Sequence, residues 1–210
     1  MHEVDMQVKK IVITGGPCGG KTTAMERIRK EFSGEGLTVL FISETATELI
    51  SGGVAPWTLV TNEEYQKCQV SMQKRKEEIF ERAAGHMPAD RILIVCDRGV
   101  MDNRAYMNDI EFENVMRALE LDEREECERY DAVFHLVTAA RGALEAYTLS
   151  NNGARTETPE QAIEVDDRVL RAWAGHPRHR VIDNSTGFDE KMDRLIAEIA
   201  AFLEEELWNT

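Results

Sequence analysis

The sequence is poor in basic residues and has no long apolar run. It contains 25 lysines and arginines against 39 aspartates and glutamates, a formal net charge of −14. Nucleic acids and anionic lipids attract positive charge, so this balance argues against either as a partner. No apolar run approaches the length of a membrane span, and residues 1–10 lack the apolar centre of a signal peptide. We therefore expect a cytoplasmic protein that binds neither nucleic acid nor membrane.

Cysteine is scarce as well, with four copies scattered along the chain. They form no C-x-x-C pair and show no spacing typical of metal ligands, which fits a reducing compartment. What the sequence does have is a hydrophobic content of 42% over 210 residues. This is enough for one full core, and we expect a single domain over residues 1–210.

Short apolar runs alternate with longer helical patterns. The runs are nearly continuous, as expected for strands that are buried on both faces of a parallel sheet. Predicted strands cover residues 9–14, 37–43, 91–96, 131–138 and 180–182, and predicted helices cover residues 21–32, 62–84, 158–175 and 188–207. The alternation predicts an α/β fold with a doubly wound sheet. The polar segment 143–158, with Asn-Asn-Gly at its centre, is typical of a lid or a surface loop.

The strongest motif follows the first predicted strand and opens the first predicted helix. Residues 15–22 (GGPCGGKT) match the P-loop pattern G-x-x-x-x-G-K-[ST]. In this pattern the glycines allow backbone N–H groups to surround phosphates, the lysine reaches the β- and γ-phosphates, and the threonine holds Mg²⁺. The candidate nucleotide-binding residues are Gly15, Gly16, Pro17, Cys18, Gly19, Gly20, Lys21, Thr22 and Thr23. The motif predicts binding of ATP or GTP with Mg²⁺, Lys21 being catalytic and Thr22 a metal ligand.

Charged residues end two further strands. Asp97 and Arg98 follow the third predicted strand, and Glu44 follows the second. The carboxyl ends of parallel strands form the ligand crevice, so Asp97 is a candidate metal ligand or base and Arg98 a candidate phosphate ligand. Glu44 is a candidate to bind or deprotonate an acceptor hydroxyl. The alternatives are a surface ion pair at Asp97 and Arg98, and, for Glu44, capping of the following helix or pairing of its charge with the dipole of that helix.

Arginines and a polar turn complete the candidate site. Arg141 follows the fourth predicted strand and Arg155 lies in the lid-like segment, where an arginine can close on the transferred phosphoryl group. Arg168 and Arg171 compete for that role. Asn184 follows the last strand, where it is a candidate contact of the nucleotide base or part of a turn that caps the last helix.

The loop, the strand end Asp97-Arg98-Gly99 and the arginine-bearing lid resemble the P-loop kinases of nucleosides and nucleotides. Four short segments resemble a narrower group within this superfamily: residues 43–46 (SETA), 154–157 (ARTE), 175–177 (GHP) and 182–184 (IDN). They are similar to "AAA domain" ATPases related to the nicotinamide-riboside kinase domain of NadR proteins and to the nucleotide-binding domain of TRPL-translocation-defect proteins. The resemblance covers about residues 9–207 and implies a five-stranded parallel sheet of P-loop kinase type with a lid.

Two functions compete. The first is a kinase that transfers the γ-phosphoryl group to a small nucleoside-, nucleotide- or riboside-like acceptor. The alternative is a nucleotide-dependent switch or slow NTPase that acts through a protein partner. A ring-forming remodelling ATPase is disfavoured, because the sequence shows no second acidic residue beside Asp97. The missing Asn-Lys-x-Asp guanine signature favours ATP over GTP, and the oligomeric state stays open, a homodimer included.

Overall fold

A computed structural model describes residues 6–34, 36–143 and 158–207. The strands in these ranges are β1 (Gln7–Gly15), β2 (Thr38–Ile42), β3 (Arg91–Asp97), β4 (Ala132–Leu136) and β5 (His179–Ile182). They form one sheet in the order β2-β3-β1-β4-β5, and every neighbouring pair is parallel. The structure therefore confirms the predicted α/β fold with a five-stranded parallel sheet.

Helices connect the strands. They are α1 (Lys21–Phe32), α2 (Thr45–Ser51), α3 (Asn62–Ala84), a 3-10 helix (Val100–Tyr106), α4 (Asp109–Ala118), α5 (Glu123–Glu128), α6 (Pro159–Ala172) and α7 (Phe188–Leu207). The sequence predicted the bounds of α1, α3 and α7, and Thr158 caps α6 as expected by accepting from the Gln161 N–H. Elements of at most ten residues, such as α2 and α4, were not predicted because they contain too few turns for a clear apolar period.

The sheet is covered on both faces. Alternate side chains of β1 point to opposite faces, so Ile11 and Ile13 pack with buried residues of α1 and α7, whereas Val12 packs with those of α3, the 3-10 helix and Trp173. None of the helices in the described ranges is long and apolar enough to cross a membrane.

The topology fixes where function can lie. Because β1 is central and β3 lies between it and β2, the carboxyl ends of these three strands are neighbours. Ile13 of β1 pairs with Asp97 of β3, and Ile42 of β2 pairs with Cys96. The segments that begin at Gly15, Glu44 and Arg98 therefore leave the sheet side by side.

Candidate active site

The loop after β1 follows a tight path that depends on its glycines. Gly15 has a φ of +137°, and a Cβ atom there would lie 2.1 Å from the carbonyl oxygen of Leu136. Cys18 and Gly20 also have positive φ values, of 56° and 96°. These values turn the chain sharply before α1 begins at Lys21. The result is a loop that ends on a helix N-terminus, as the P-loop motif predicts.

Lys21 spans this loop. Its side chain is only 8% exposed, and its Nζ atom lies 3.5 Å from the carbonyl oxygen of Gly15 and 3.4 Å from that of Gly16. Thr22, the next residue, is exposed at the start of the helix. An ammonium group and a hydroxyl at the mouth of a glycine loop are the groups that phosphates and Mg²⁺ require.

A buried carboxylate supports the loop from α6. The Gly16 N–H donates to Asp166 Oδ1 at 2.7 Å, and His135 Nε2 lies 3.0 Å from the same oxygen. Asp166 is 2% exposed and His135 is fully buried. Burial acts to raise the pKa of Asp166, but the hydrogen bonds and the neighbouring imidazole outweigh burial and lower it. A Cβ on Gly16 would meet the Asp166 side chain at 2.6 Å, so the contact requires glycine there.

Beside the loop, polar groups tie it to the ends of β4 and β5. The Thr138 hydroxyl donates to the Pro17 carbonyl oxygen. The Asn184 amide donates to the carbonyl oxygens of Thr138 and Arg141 at 2.8 and 2.7 Å, and its Oδ1 accepts from Lys191 at 2.8 Å. Both N–H bonds of this amide are thus used within the protein. Asn184 thus joins the loops after β4 and β5, and its predicted contact with the nucleotide base stays a prediction.

Arg98 lies at the centre of a second charged group, Glu44, Arg98 and Asp102, which we call the acceptor side after the role that the sequence predicts for Glu44. Its Nε donates to Glu44 Oε1 at 2.7 Å, and its Nη1 donates to Asp102 Oδ1 at 3.0 Å and to the Gly15 carbonyl oxygen at 3.2 Å. Asp102 also accepts from the Gly99 N–H and from Trp173 Nε1, at 2.9 and 3.1 Å. The sequence suggested a phosphate ligand at Arg98. Its guanidinium holds two carboxylates in place and connects them to the P-loop, and the phosphate contact stays a prediction.

Glu44 is ionised by its surroundings. Burial acts to raise its pKa, but the charges of Arg98 and Lys21 and a hydrogen bond from Thr47 together lower it to about 2. The Thr47 hydroxyl donates to Glu44 Oε2 at 2.6 Å. Glu44 directly precedes α2, but its side chain accepts no hydrogen bond from the backbone of that helix, so it does not cap the helix in this way. The pairing of its charge with the helix dipole stays a prediction.

Asp97 has the opposite environment. Its Oδ1 is buried and has no hydrogen-bond partner in the described part of the chain. Burial raises its pKa, and the carboxylates of Glu44 and Asp102 add to this while Lys21 and Arg98 partly offset it. The alternative of a surface ion pair therefore does not apply. A buried carboxylate oxygen without a donor is suited to a cation, so Asp97 fits the Mg²⁺ that accompanies nucleotides in P-loop proteins.

One family model matches this chain. It is described as "AAA domain" and covers residues 10–191, which include the P-loop, the acceptor-side residues and the start of α7. The chain belongs to this family of P-loop AAA domains. A search among curated proteins finds no match. Membership shows a nucleotide-binding P-loop protein of a class that generally uses Mg²⁺.

The structure describes three of the four arginines that the sequence offered as phosphoryl-group ligands in this AAA domain. Arg141 is 49% exposed and donates to Asp167 Oδ1 of α6 at 2.6 Å. Arg168 pairs with Glu164 on the same helix, and Arg171 is exposed. Arg155 and most of the lid-like segment lie outside the described residues, so the role predicted for Arg155 stays a prediction.

Sequence reasoning missed three charged residues of the AAA domain's site. Asp166 and Lys191 occupy apolar-stripe positions of α6 and α7, in register with the core residues Val169 and Leu195. A charge in such a stripe was the signal that could have found them. Asp102 follows Arg98 by four residues, a spacing at which opposite charges meet in one turn.

Proposed function

We propose that this AAA domain is a kinase that transfers the γ-phosphoryl group of ATP or GTP to a hydroxyl of a small nucleoside- or riboside-like acceptor. The observation that carries the proposal is the pair of carboxylates, Glu44 and Asp97, at neighbouring strand ends beside the P-loop. The charge of Lys21 acts on both pKa values: it helps to lower that of Glu44 and partly offsets the rise caused by burial at Asp97. Two carboxylates with opposite surroundings support two different roles.

Glu44 suits the acceptor. A carboxylate with a pKa of about 2 is ionised near neutral pH and is a ready hydrogen-bond acceptor but a weak base. Phosphoryl transfer proceeds through a loose transition state and depends mainly on positioning and on stabilisation of charge. Glu44 would therefore orient the attacking hydroxyl, and Arg98 would hold Glu44 in place through its 2.7 Å hydrogen bond.

Asp97 and Thr22 suit the metal. The buried Asp97 oxygen and the exposed Thr22 hydroxyl would hold Mg²⁺ between them, directly or through water. When bound, Mg²⁺ neutralises charge on the β- and γ-phosphates. Lys21 would bind the same phosphates from the loop side, and the P-loop N–H groups would orient them.

The charges on the acceptor side favour a hydroxyl acceptor without a phosphate of its own. Among the described residues near Glu44, Arg98 is bound to two carboxylates, and Lys76 donates to the Ser43 carbonyl and to Glu48. A dianionic phosphate would have to compete with these partners and would face the ionised Glu44. An uncharged hydroxyl meets no such repulsion.

Acceptor-dependent turnover tests the proposal. The protein would be mixed with Mg–ATP or Mg–GTP and a panel of nucleosides, ribosides and the matching monophosphates, and diphosphate release would be followed. We expect turnover with at least one unphosphorylated acceptor and less with its monophosphate. Glu44→Gln should lower this turnover about 100-fold while nucleotide affinity stays within about threefold, because the lost group positions only the acceptor.

Two control variants give the turnover expected with an intact site and with no phosphate binding. Glu48→Gln removes an exposed carboxylate on the neighbouring helix and should leave turnover unchanged. Lys21→Ala removes the phosphate ligand and should abolish turnover while the apo protein unfolds at the same temperature. Hydrolysis that no acceptor accelerates would favour the alternative, a slow NTPase or switch, and normal turnover by Glu44→Gln would refute the acceptor role.

A further inference from the structure

Lys191 is a buried lysine of α7 that the proposed chemistry does not use. Its side chain is 2% exposed. The Nζ atom donates to the carbonyl oxygen of Gly19 at 3.1 Å, to that of Val137 at 2.6 Å and to Asn184 Oδ1 at 2.8 Å. An ammonium group has three N–H donors, so each of them has its own acceptor.

The three acceptors belong to separate segments of the site. Gly19 lies in the P-loop, Val137 follows β4, and Asn184 lies in the connection between β5 and α7. The Asn184 amide extends the link, because it donates to the carbonyl oxygens of Thr138 and Arg141. One buried cation thus joins the phosphate-binding loop to the loops that follow the two strands on the other side of β1.

Packing alone does not account for a lysine at this position. Burial acts against the charged form and lowers the pKa of Lys191 to about 8, with Arg194 and Lys21 contributing in the same direction and Asp166 and Asp183 opposing it. A methionine would fill a similar volume without that cost. The neighbouring residue Met192 and the next core position, Leu195, are apolar and fully buried. The ammonium group is therefore present for the bonds that it makes.

We propose that Lys191 is a positioning residue for nucleotide binding, which fixes the P-loop relative to the loops after β4 and β5. It acts through Gly19 and Asn184 and does not touch the nucleotide. With these segments fixed, the phosphates and the nucleoside part of one ligand find their sites already at the right separation, and the ordering cost of binding is lower. This inference needs only nucleotide binding and does not depend on the kinase proposal.

A double-mutant cycle tests this link. Calorimetry would measure Mg–ATP affinity for Lys191→Met, Asn184→Ala and the double variant of the whole protein. We expect each single variant to bind ATP about tenfold more weakly, the size of one lost charge-assisted hydrogen bond. The double variant should be no weaker than the weaker single variant, because both changes break the same link.

A stability-matched control separates positioning from loss of structure. Ile199→Ala removes a fully buried side chain from the same helix, one turn beyond Leu195, and should lower the unfolding temperature without changing ATP affinity. ATP affinity of Lys191→Met within twofold of the wild type, fully additive effects in the cycle, or an equal affinity loss in Ile199→Ala would each overturn the proposal. If Lys191→Met does not fold, Asn184→Ala decides alone, and unchanged affinity there refutes the link.

Discussion

The phosphate side and the acceptor side of this site are built in different ways. On the phosphate side, residues 15–22 are contiguous, and the conformation of their backbone forms the site, as the φ of +137° at Gly15 shows. On the acceptor side, Glu44 lies 54 residues before Arg98 in the chain, and these two residues and Asp102 meet through charged side chains. A hydrogen bond from Arg98 to the Gly15 carbonyl oxygen joins the two sides.

The two sides should therefore differ in their sensitivity to mutation. A backbone site tolerates changes in the surrounding side chains as long as its glycines remain and its supports hold. A site made of buried charges depends on every partner, because removing one leaves the others buried without compensation. Arg98 shows how firmly the arrangement is held, since this residue has a φ of 71°, a left-handed conformation that a non-glycine residue adopts at a cost.

The largest effect should come from breaking the acceptor side at its centre. Arg98→Met leaves Glu44 and the 2% exposed Asp102 without their cation. We expect the free energy of unfolding to fall by about 3 to 5 kcal/mol, the usual consequence of removing one partner of a buried ion pair. Denaturant unfolding measures this loss of stability. The nucleotide affinity of the folded variant shows separately whether the phosphate side is affected.

An arginine on the 3-10 helix that follows Arg98 is the control. Arg104 is 37% exposed and pairs with Glu123 and Asp109, so Arg104→Met should cost less than about 1 kcal/mol. Equal losses in the two variants would contradict the view that the acceptor side depends on buried charge.

The same contrast explains what could be predicted from the sequence. The five strands and the long helices follow from apolar periodicity, and the P-loop is a local pattern whose chemistry depends on adjacent residues. The partners of Arg98 and Asn184 depend on contacts across 54 and 46 residues, which no local pattern encodes. For this reason the strand-end positions were predicted, whereas the contact of Arg98 with Glu44 and that of Asn184 with Thr138 were not.

An intermediate effect on stability should appear on acidification, through a histidine near the residues that support the P-loop. Burial is the main cause that lowers the pKa of His179 from 6.5 to about 4, and its ring lies 6.0 Å from that of His135, the partner of Asp166. Between these two values the unfolded chain binds a proton that the folded chain does not. The stability that His179 contributes is therefore complete above pH 6.5 and is lost as the pH falls to about 4.

We expect this loss to be about 1 to 2 kcal/mol, because His179 is partly exposed and solvent screens part of the effect. Denaturant unfolding at pH 7 and pH 4.5 should show a smaller pH dependence for His179→Gln than for the wild type. His86 is exposed, so His86→Gln should keep the wild-type pH dependence. Over the same range Glu44, with its pKa of about 2, stays ionised, and the acceptor side should be insensitive. An unchanged slope in His179→Gln would rule this explanation out.

The smallest effect should come from Arg141, which lies at the edge of the phosphate side. Its guanidinium is 49% exposed and is paired with Asp167, whose side chain is 41% exposed. Exposed ion pairs contribute about 0.2 to 1 kcal/mol to stability. Arg141→Gln should therefore change the equilibrium constant of unfolding and the turnover rate by less than about fivefold each. Asp167→Asn, which removes the partner, should give an equally small change. An arginine that closes on the transferred phosphoryl group contributes about a thousandfold or more to turnover. A loss of that size in Arg141→Gln, with turnover intact in Asp167→Asn, would show that Arg141 leaves Asp167 during the reaction and that the phosphate side, too, depends on a distant charge.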